Sequence, residues 1–151
     1  MRMYILKILL VTLPFLLFGA CSTHKVKGAT LVGTKWQLIS IQSMDDSKAK
    51  VFVDDPKEFT MYFSSKGQVS FRLGCNRAVG GYISRSAIDH ISGALNFGSI
   101  AATKALCPPP RLDERILRDL EYVRAYLLKD RKLYLTLMAD GGVYEWLPLS
   151  E

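Results

Sequence analysis

Apolar and polar residues alternate with a period of two through most of this chain, the pattern of strands with one buried face. Trp36-Gln37-Leu38-Ile39-Ser40-Ile41 reads as a first strand. Phe59, Met61 and Phe63 alternate with polar residues, Ser64-Ser65-Lys66-Gly67 makes a turn, and Val69, Phe71 and Leu73 alternate again. That is a hairpin. Gly80-Gly81 and Gly93 punctuate further short strands around Tyr82, Ile88 and Leu95-Asn96-Phe97. Cys107-Pro108-Pro109-Pro110 then halts any strand, because proline has no N–H to give a ladder. Between Met44 and Pro56 the chain is polar and acidic apart from Val51-Phe52-Val53, which suits a long loop or a poorly paired edge.

After the prolines the period changes. At 100° per residue, Leu112, Ile116, Leu120, Val123 and Leu127 fall within an arc of about 80°. The spacing predicts one helix over about 112–128 with an apolar stripe that packs on a sheet. Asp113 and Glu114 would sit in its first turn and Lys129 at its end, as the helix dipole favours. Glu114 and Arg118 would form a supportive i,i+4 pair. Lys132 to Met138, the turn Ala139-Asp140-Gly141-Gly142, and Val143 to Leu147 form a closing hairpin. The sum is an α+β protein, mainly antiparallel β, with about seven strands and one packed helix, and no internal repeat.

The first residues follow a different logic. Met1 to Lys7 is a short basic head, Ile8 to Leu17 is apolar, and Gly19-Ala20 leads directly into Cys21. That order is a secretory signal, and a cysteine after the small pair makes it a lipoprotein signal whose thiol is acylated. The alternative is an uncleaved anchor. A spanning helix needs about 20 apolar residues, and the uncharged run from Ile8 to Ala20 falls short, with Pro14 inside it. Phe18 stands where such signals more often carry Leu. The expected organisation is a signal peptide over 1–20, a flexible tether over 21–30, and one domain over 31–149. Cys21 would carry three acyl chains such as palmitate, more than the two that stable anchoring requires.

Charge and cysteines narrow the classes. The 151 residues hold 20 Lys and Arg against 14 Asp and Glu, a net +6 to which Arg2 and Lys7 of the head contribute two. The excess is scattered, without the basic stripe and interleaved aromatics of a nucleic-acid binder. With Cys21 assigned to lipid, Cys75 and Cys107 remain as an even pair. In an oxidising compartment they would bridge; otherwise they would serve as two small buried thiols. A zinc site needs about four ligands at recognisable spacing, and the two histidines are His24, in the tether, and His90, in the strand-like Ile88-Asp89-His90-Ile91 where alternation places it on the polar face. No base accompanies a nucleophile, no Cys-x-x-Cys occurs, and the paired acids Asp45-Asp46 and Asp54-Asp55 read as solubilising. No catalytic, cofactor or metal residue is therefore assigned. Gly74-Cys75-Asn76 reads as a sharp corner, since Gly and Asn tolerate left-handed backbone.

Gly74-Cys75-Asn76 with Gly80 and Tyr82, followed by Thr103-Lys104-Ala105-Leu106-Cys107, resembles the META domain of HslJ-type heat-shock lipoproteins. The opening Leu31-Val32-Gly33-Thr34-Lys35-Trp36 and the closing hairpin over 133–147 fit as well, so the resemblance spans about 31–149. Pro108-Pro109-Pro110 departs from it. The resemblance implies a curved sheet or cracked barrel with one helix, in an envelope protein tied to stress and without established catalysis.

The expectation is thus a non-enzymatic lipoprotein at the outer membrane, facing the periplasm and monomeric, that binds or protects envelope components. It would meet the membrane through its acyl chains, take an envelope protein as partner, and bind no nucleic acid. Two alternatives stand beside it: a carrier of a small apolar ligand within the curved sheet, and a pilotin-like chaperone of an outer-membrane protein. A filled interior would remove the carrier.

Overall fold

The computed structural model describes residues 30–138 and 141–149. Cys21, the signal and nearly all of the tether lie outside the described residues, as do Ala139 and Asp140 of the last expected turn. Nine strands form one antiparallel sheet: β1 (Lys35–Gln42), β2 (Val51–Phe52), β3 (Phe59–Phe63), β4 (Gln68–Leu73), β5 (Asn76–Ser86), β6 (Ser92–Ala102), β7 (Val123–Lys129), β8 (Lys132–Leu137) and β9 (Val143–Pro148). Among the described residues a single α-helix, α1 (Leu112–Asp119), lies between β6 and β7.

β1 closes the sheet. It pairs with β9 over most of its length on one side, and on the other with β3 at its start and β2 at its end. Eight strands thereby form a closed barrel, and β2 is a two-residue appendage. The wall is least complete between β6 and β7, where only Ser92–Ala94 of β6 pair. The predicted curved sheet with one helix is what the chain adopts.

Alternation fills the interior. Met61, Phe63, Val69, Phe71, Leu73, Leu133, Leu135 and Trp146 point inward and are buried. β1 breaks its own alternation once: Leu38 pairs with Trp146, but Ser40 pairs with Glu145 and Ile41 with Tyr144, so Ile39 is an extra residue at a bulge. That bulge returns Ile41 to the core and places Ser40 on the outer face beside Glu145.

The predicted helix over 112–128 is shorter. α1 ends at Asp119, a 3₁₀ turn covers Leu120–Tyr122, and the rest is β7. Leu112, Ile116, Leu120 and Val123 are buried as the helical stripe requires, whereas Leu127 is only half-buried. Tyr126 enters the core instead. The segment satisfies both periods locally, and the gap between β6 and β8 decides: a strand there bonds Ser92–Ala94 on one side and the length of β8 on the other. Lys129 accordingly ends a strand, not a helix, and Glu114 pairs with Arg111 at 2.8 Å in place of the expected Arg118.

Two further expectations change. The short strands around Tyr82, Ile88 and Leu95 are one long hairpin of eleven-residue strands. Ile88 and His90 lie in its turn, with His90 at φ 58°, so the histidine is exposed in a corner and not on a strand face.

Strand directions give the barrel two distinct ends. One carries the β4–β5 turn, the end of β6, α1 and the β8–β9 connection. The other receives the chain at Leu31 and carries the turns β3–β4, β5–β6 and β7–β8. α1 plugs the first: Ile116 and Leu120 face Leu135, Tyr144 and Trp146 across a gap too small for a water-sized sphere. Side chains therefore fill the interior beneath α1.

Candidate functional site

β4 and β5 are joined by the tight turn Gly74-Cys75, with Leu73 paired to Asn76. Gly74 has φ 61°, a conformation that any side chain would strain. The turn presents Cys75 to Cys107, and the two are joined by a disulfide with Cα atoms 5.6 Å apart.

Asn76 is the centre of this end. It is 2% exposed and uses both halves of its amide. Oδ1 accepts from Thr103 Oγ1 at 2.7 Å and from the Ala105 N–H at 2.8 Å. Nδ2 donates to the Ala105 carbonyl at 3.0 Å, to Asp113 Oδ2 at 2.8 Å and toward Cys107 Sγ at 3.3 Å. Thr103 in turn accepts the Arg77 N–H at 2.9 Å through Oγ1. Residues 103–111 form no strand, so their polar backbone needs partners elsewhere. A single side-chain amide satisfies both backbone groups of Ala105 and ties this segment both to β5 and to α1. The expected corner-capping asparagine is a buried hub.

Of the residues singled out by resemblance, Gly74, Cys75, Asn76, Thr103 and Cys107 converge here. Gly80 and Tyr82 do not. Gly80 lies by a bulge in β5, where an added Cβ would sit 2.8 Å from the Ser99 carbonyl oxygen. Tyr82 packs edge-on to Phe63 with ring centroids 4.8 Å apart and donates to the Ser64 carbonyl at 3.1 Å. Both shape the barrel wall.

The disulfide forms one side of a cleft of about 450 Å³. Phe59, Leu112 and the three prolines contribute its apolar surface, and Asp54, Asp55, Glu58, Arg72, Arg77 and Asp113 its charge. Both arginines are already engaged. Arg72 Nη2 grips both oxygens of Glu58 at 2.6 and 2.7 Å, and Arg77 Nη1 donates to the carbonyls of Gly74 and Asn76. Asp113 is 4% exposed, and its Oδ1 has no hydrogen-bond partner among the described residues. Sequence reasoning placed Asp113 only as a first-turn charge of the helix. That role holds, but its burial against Asn76 depends on a partner 37 positions away.

A second polar cluster was not foreseen. Glu145, on the outer face of β9, accepts from Ser40 at 2.8 Å, Lys50 at 2.8 Å and Lys132 at 2.7 Å. The hydrogen bonds from Lys132, Lys50 and Ser40 outweigh partial burial and hold its carboxyl down at about 2. The one legible signal was a lone carboxylate between Tyr144 and Trp146. Near α1, Tyr144 donates to Asp119 at 2.6 Å, and burial followed by that bond pushes the phenol well above its ordinary range. Among the described residues, no three or more His, Cys, Asp or Glu side chains are grouped to hold a metal ion.

The family model of the META domain matches residues 29–150. The chain belongs to the META domain family. The disulfide, the Asn76 hub and the barrel are thus features of a META domain, with Pro108-Pro109-Pro110 as its own exit from Cys107. Among solved structures, this META domain is similar to a protein from Burkholderia xenovorans determined by NMR, at TM-score 0.63 and 23% identity over 80% of this chain and 85% of that one. That likeness concerns the fold. A DUF4847 family protein from Bacteroides vulgatus aligns at TM-score 0.47 and 10% identity over 76% and 92% of the respective chains. No protein with a curated role matches the sequence.

Proposed function

We propose that this META domain is a non-enzymatic, monomeric envelope lipoprotein, held at the outer membrane through Cys21 and facing the periplasm, that binds an envelope component under stress through the disulfide-walled cleft. The observation that carries the reading is the cleft. It is apolar over much of its surface, acidic at Asp54 and Asp55, and held in shape by the disulfide and the Asn76 hub. The exposed carboxylates Asp54 and Asp55 on its rim favour an occupant that brings positive charge on an apolar body. A lipoprotein address fits the basic head, apolar stretch and Gly19-Ala20-Cys21 of the sequence. A pilotin-like role would use the same cleft on an outer-membrane protein. The tight packing beneath α1 counts against a carrier within the sheet.

Photocrosslinking in living cells tests this. With p-benzoylphenylalanine in place of Pro108, on the cleft wall, we expect a discrete envelope adduct that disappears when Asp54 and Asp55 are both changed to Asn. Adducts of equal yield from Pro108 and from the remote Ile83, or none from Pro108, would overturn it. Separately, intact-mass measurement should show acyl chains on Cys21, and Cys21→Ser should abolish them.

A further inference from the structure

The end of the barrel opposite the cleft carries an unusual hairpin tip. β5 and β6 continue past the β3–β4 turn: Gln68 pairs with Gly81, and β5 runs on to Ser86 before turning through residues 87–91. All five turn residues are exposed, and Ile88 is 98% exposed. Ile83 on β5 and Ile91 at the turn are exposed too. This is a shaped tip and not a frayed loop. Asp89 accepts the N–H groups of Ile91 and Ser92 and the Ser92 hydroxyl, and the Leu128 N–H donates to the Ile91 carbonyl at 2.7 Å. Ile88 and Ile91 on this ordered turn, with Ile83 on the strand that leads to it, cost solvation with no gain inside this chain.

Two observations say what covers them. The chain enters the barrel at the same end: Leu31 is buried, and the Gly33 N–H donates to the Phe63 carbonyl beside the β3–β4 turn. From Thr30, nine residues lead back to Cys21, a reach of at most about 30 Å. The second is charge. Lys66, Arg85, Lys129 and Arg131 are exposed at this end, against the carboxylates Asp89 and Asp130. Apolar side chains ringed by an excess of cations match an anionic lipid surface.

We infer that the β5–β6 tip is a second membrane contact, with Ile83, Ile88 and Ile91 resting in the interface of an anionic bilayer and the cleft turned away from it. The inference rests on the lipoprotein reading for its orientation, while the tip's own affinity for lipid does not. Docking of this end fixes what a flexible tether alone leaves free, namely which way the cleft faces.

The test uses the acylated chain in phosphatidylethanolamine–phosphatidylglycerol vesicles, labelled with the polarity-sensitive dye NBD at Ile88→Cys or, at the far end, at Leu106→Cys. We expect a blue shift and protection from aqueous iodide at position 88 and neither at 106. Equal quenching at both positions would overturn the inference. The unacylated chain over residues 22–151, which contains the whole barrel, separates the two claims. It should float with phosphatidylglycerol-rich vesicles and lose about tenfold in affinity with Ile88→Ser and Ile91→Ser together. Unchanged flotation of that double variant rejects the tip whatever the mass of Cys21 shows; absent acyl mass with a tip-dependent flotation rejects only the anchor.

Discussion

The two ends of this barrel solve the same problem in opposite ways. Each must terminate strands and leave loop backbone without ladder partners. At the disulfide end the chain spends nine irregular residues, 103–111, and ties them inward: the Asn76 amide, Thr103 and the Cys75–Cys107 bridge gather polar groups that would otherwise be stranded. At the entry end a short turn satisfies its own backbone through Asp89, and its large side chains face outward. The first end therefore stores stability, and the second leaves apolar surface exposed. Removing side chains should hurt folding at one end and association at the other.

The largest effect is expected from Cys75→Ala with Cys107→Ala. Opening a loop of 32 residues costs about 3–4 kcal/mol in the chain-entropy model, read as a lower urea midpoint, and reductant should reproduce it in the unmutated chain. Should unfolding be indifferent to reductant, the disulfide end is not where stability resides.

Next comes Asn76→Ala, which leaves the Ala105 backbone groups, Thr103 and the buried Asp113 without their common partner, for about 2–3 kcal/mol. Asn76→Asp should cost more, because it sets a second carboxylate where a donor now meets Asp113 at 2.8 Å. Equal stability of Asn76→Ala and the parent chain would break the comparison.

Glu145→Gln probes the wall between the ends. Losing one carboxylate strands two lysines and Ser40 and should cost about 2 kcal/mol at neutral pH. The native carboxyl titrates at about 2, below its ordinary 4.5. Its contribution is therefore complete above about 4.5 and lost as pH falls toward 2. The gap between the two chains in urea unfolding should close across that window, and a gap constant with pH would show that charge is not what Glu145 contributes.

The smallest effect on folding is expected at the tip. Ile88→Ser should change stability by less than about 0.5 kcal/mol, since Ile88 packs against nothing. A loss as large as that of Asn76→Ala would mean the tip is structural after all.

Much of the fold was legible because strand alternation and turn residues are local signals. The hairpins over 59–73 and 132–147 follow from period-two apolar residues flanking Ser, Lys and Gly turns, and the corner at Gly74 from the need for positive φ. Part of the site was legible too, through the two cysteines and the asparagine beside one of them. What escaped had long-range causes. Residues 123–129 satisfy a helical stripe and a strand equally well until the open edges of β6 and β8 choose the strand. Asp113 looked like a helix-dipole residue because its partner Asn76 lies far back in sequence. Glu145 was not singled out because its partners Ser40, Lys50 and Lys132 come from three separate segments.

The sequence by itself determined the strand-rich class, the local hairpins, the interruption at Pro108-Pro109-Pro110 and the pairing partners open to Cys75, because each depends on neighbours within a turn or on a simple even count. Only the tertiary structure decided that β1 meets β9 to close the barrel, that the tail of the apparent helix becomes β7, and that the cleft and the isoleucine tip stand at opposite ends. Those outcomes depend on which edges remain unpaired once the other strands have assembled, and no short window of the chain contains that information.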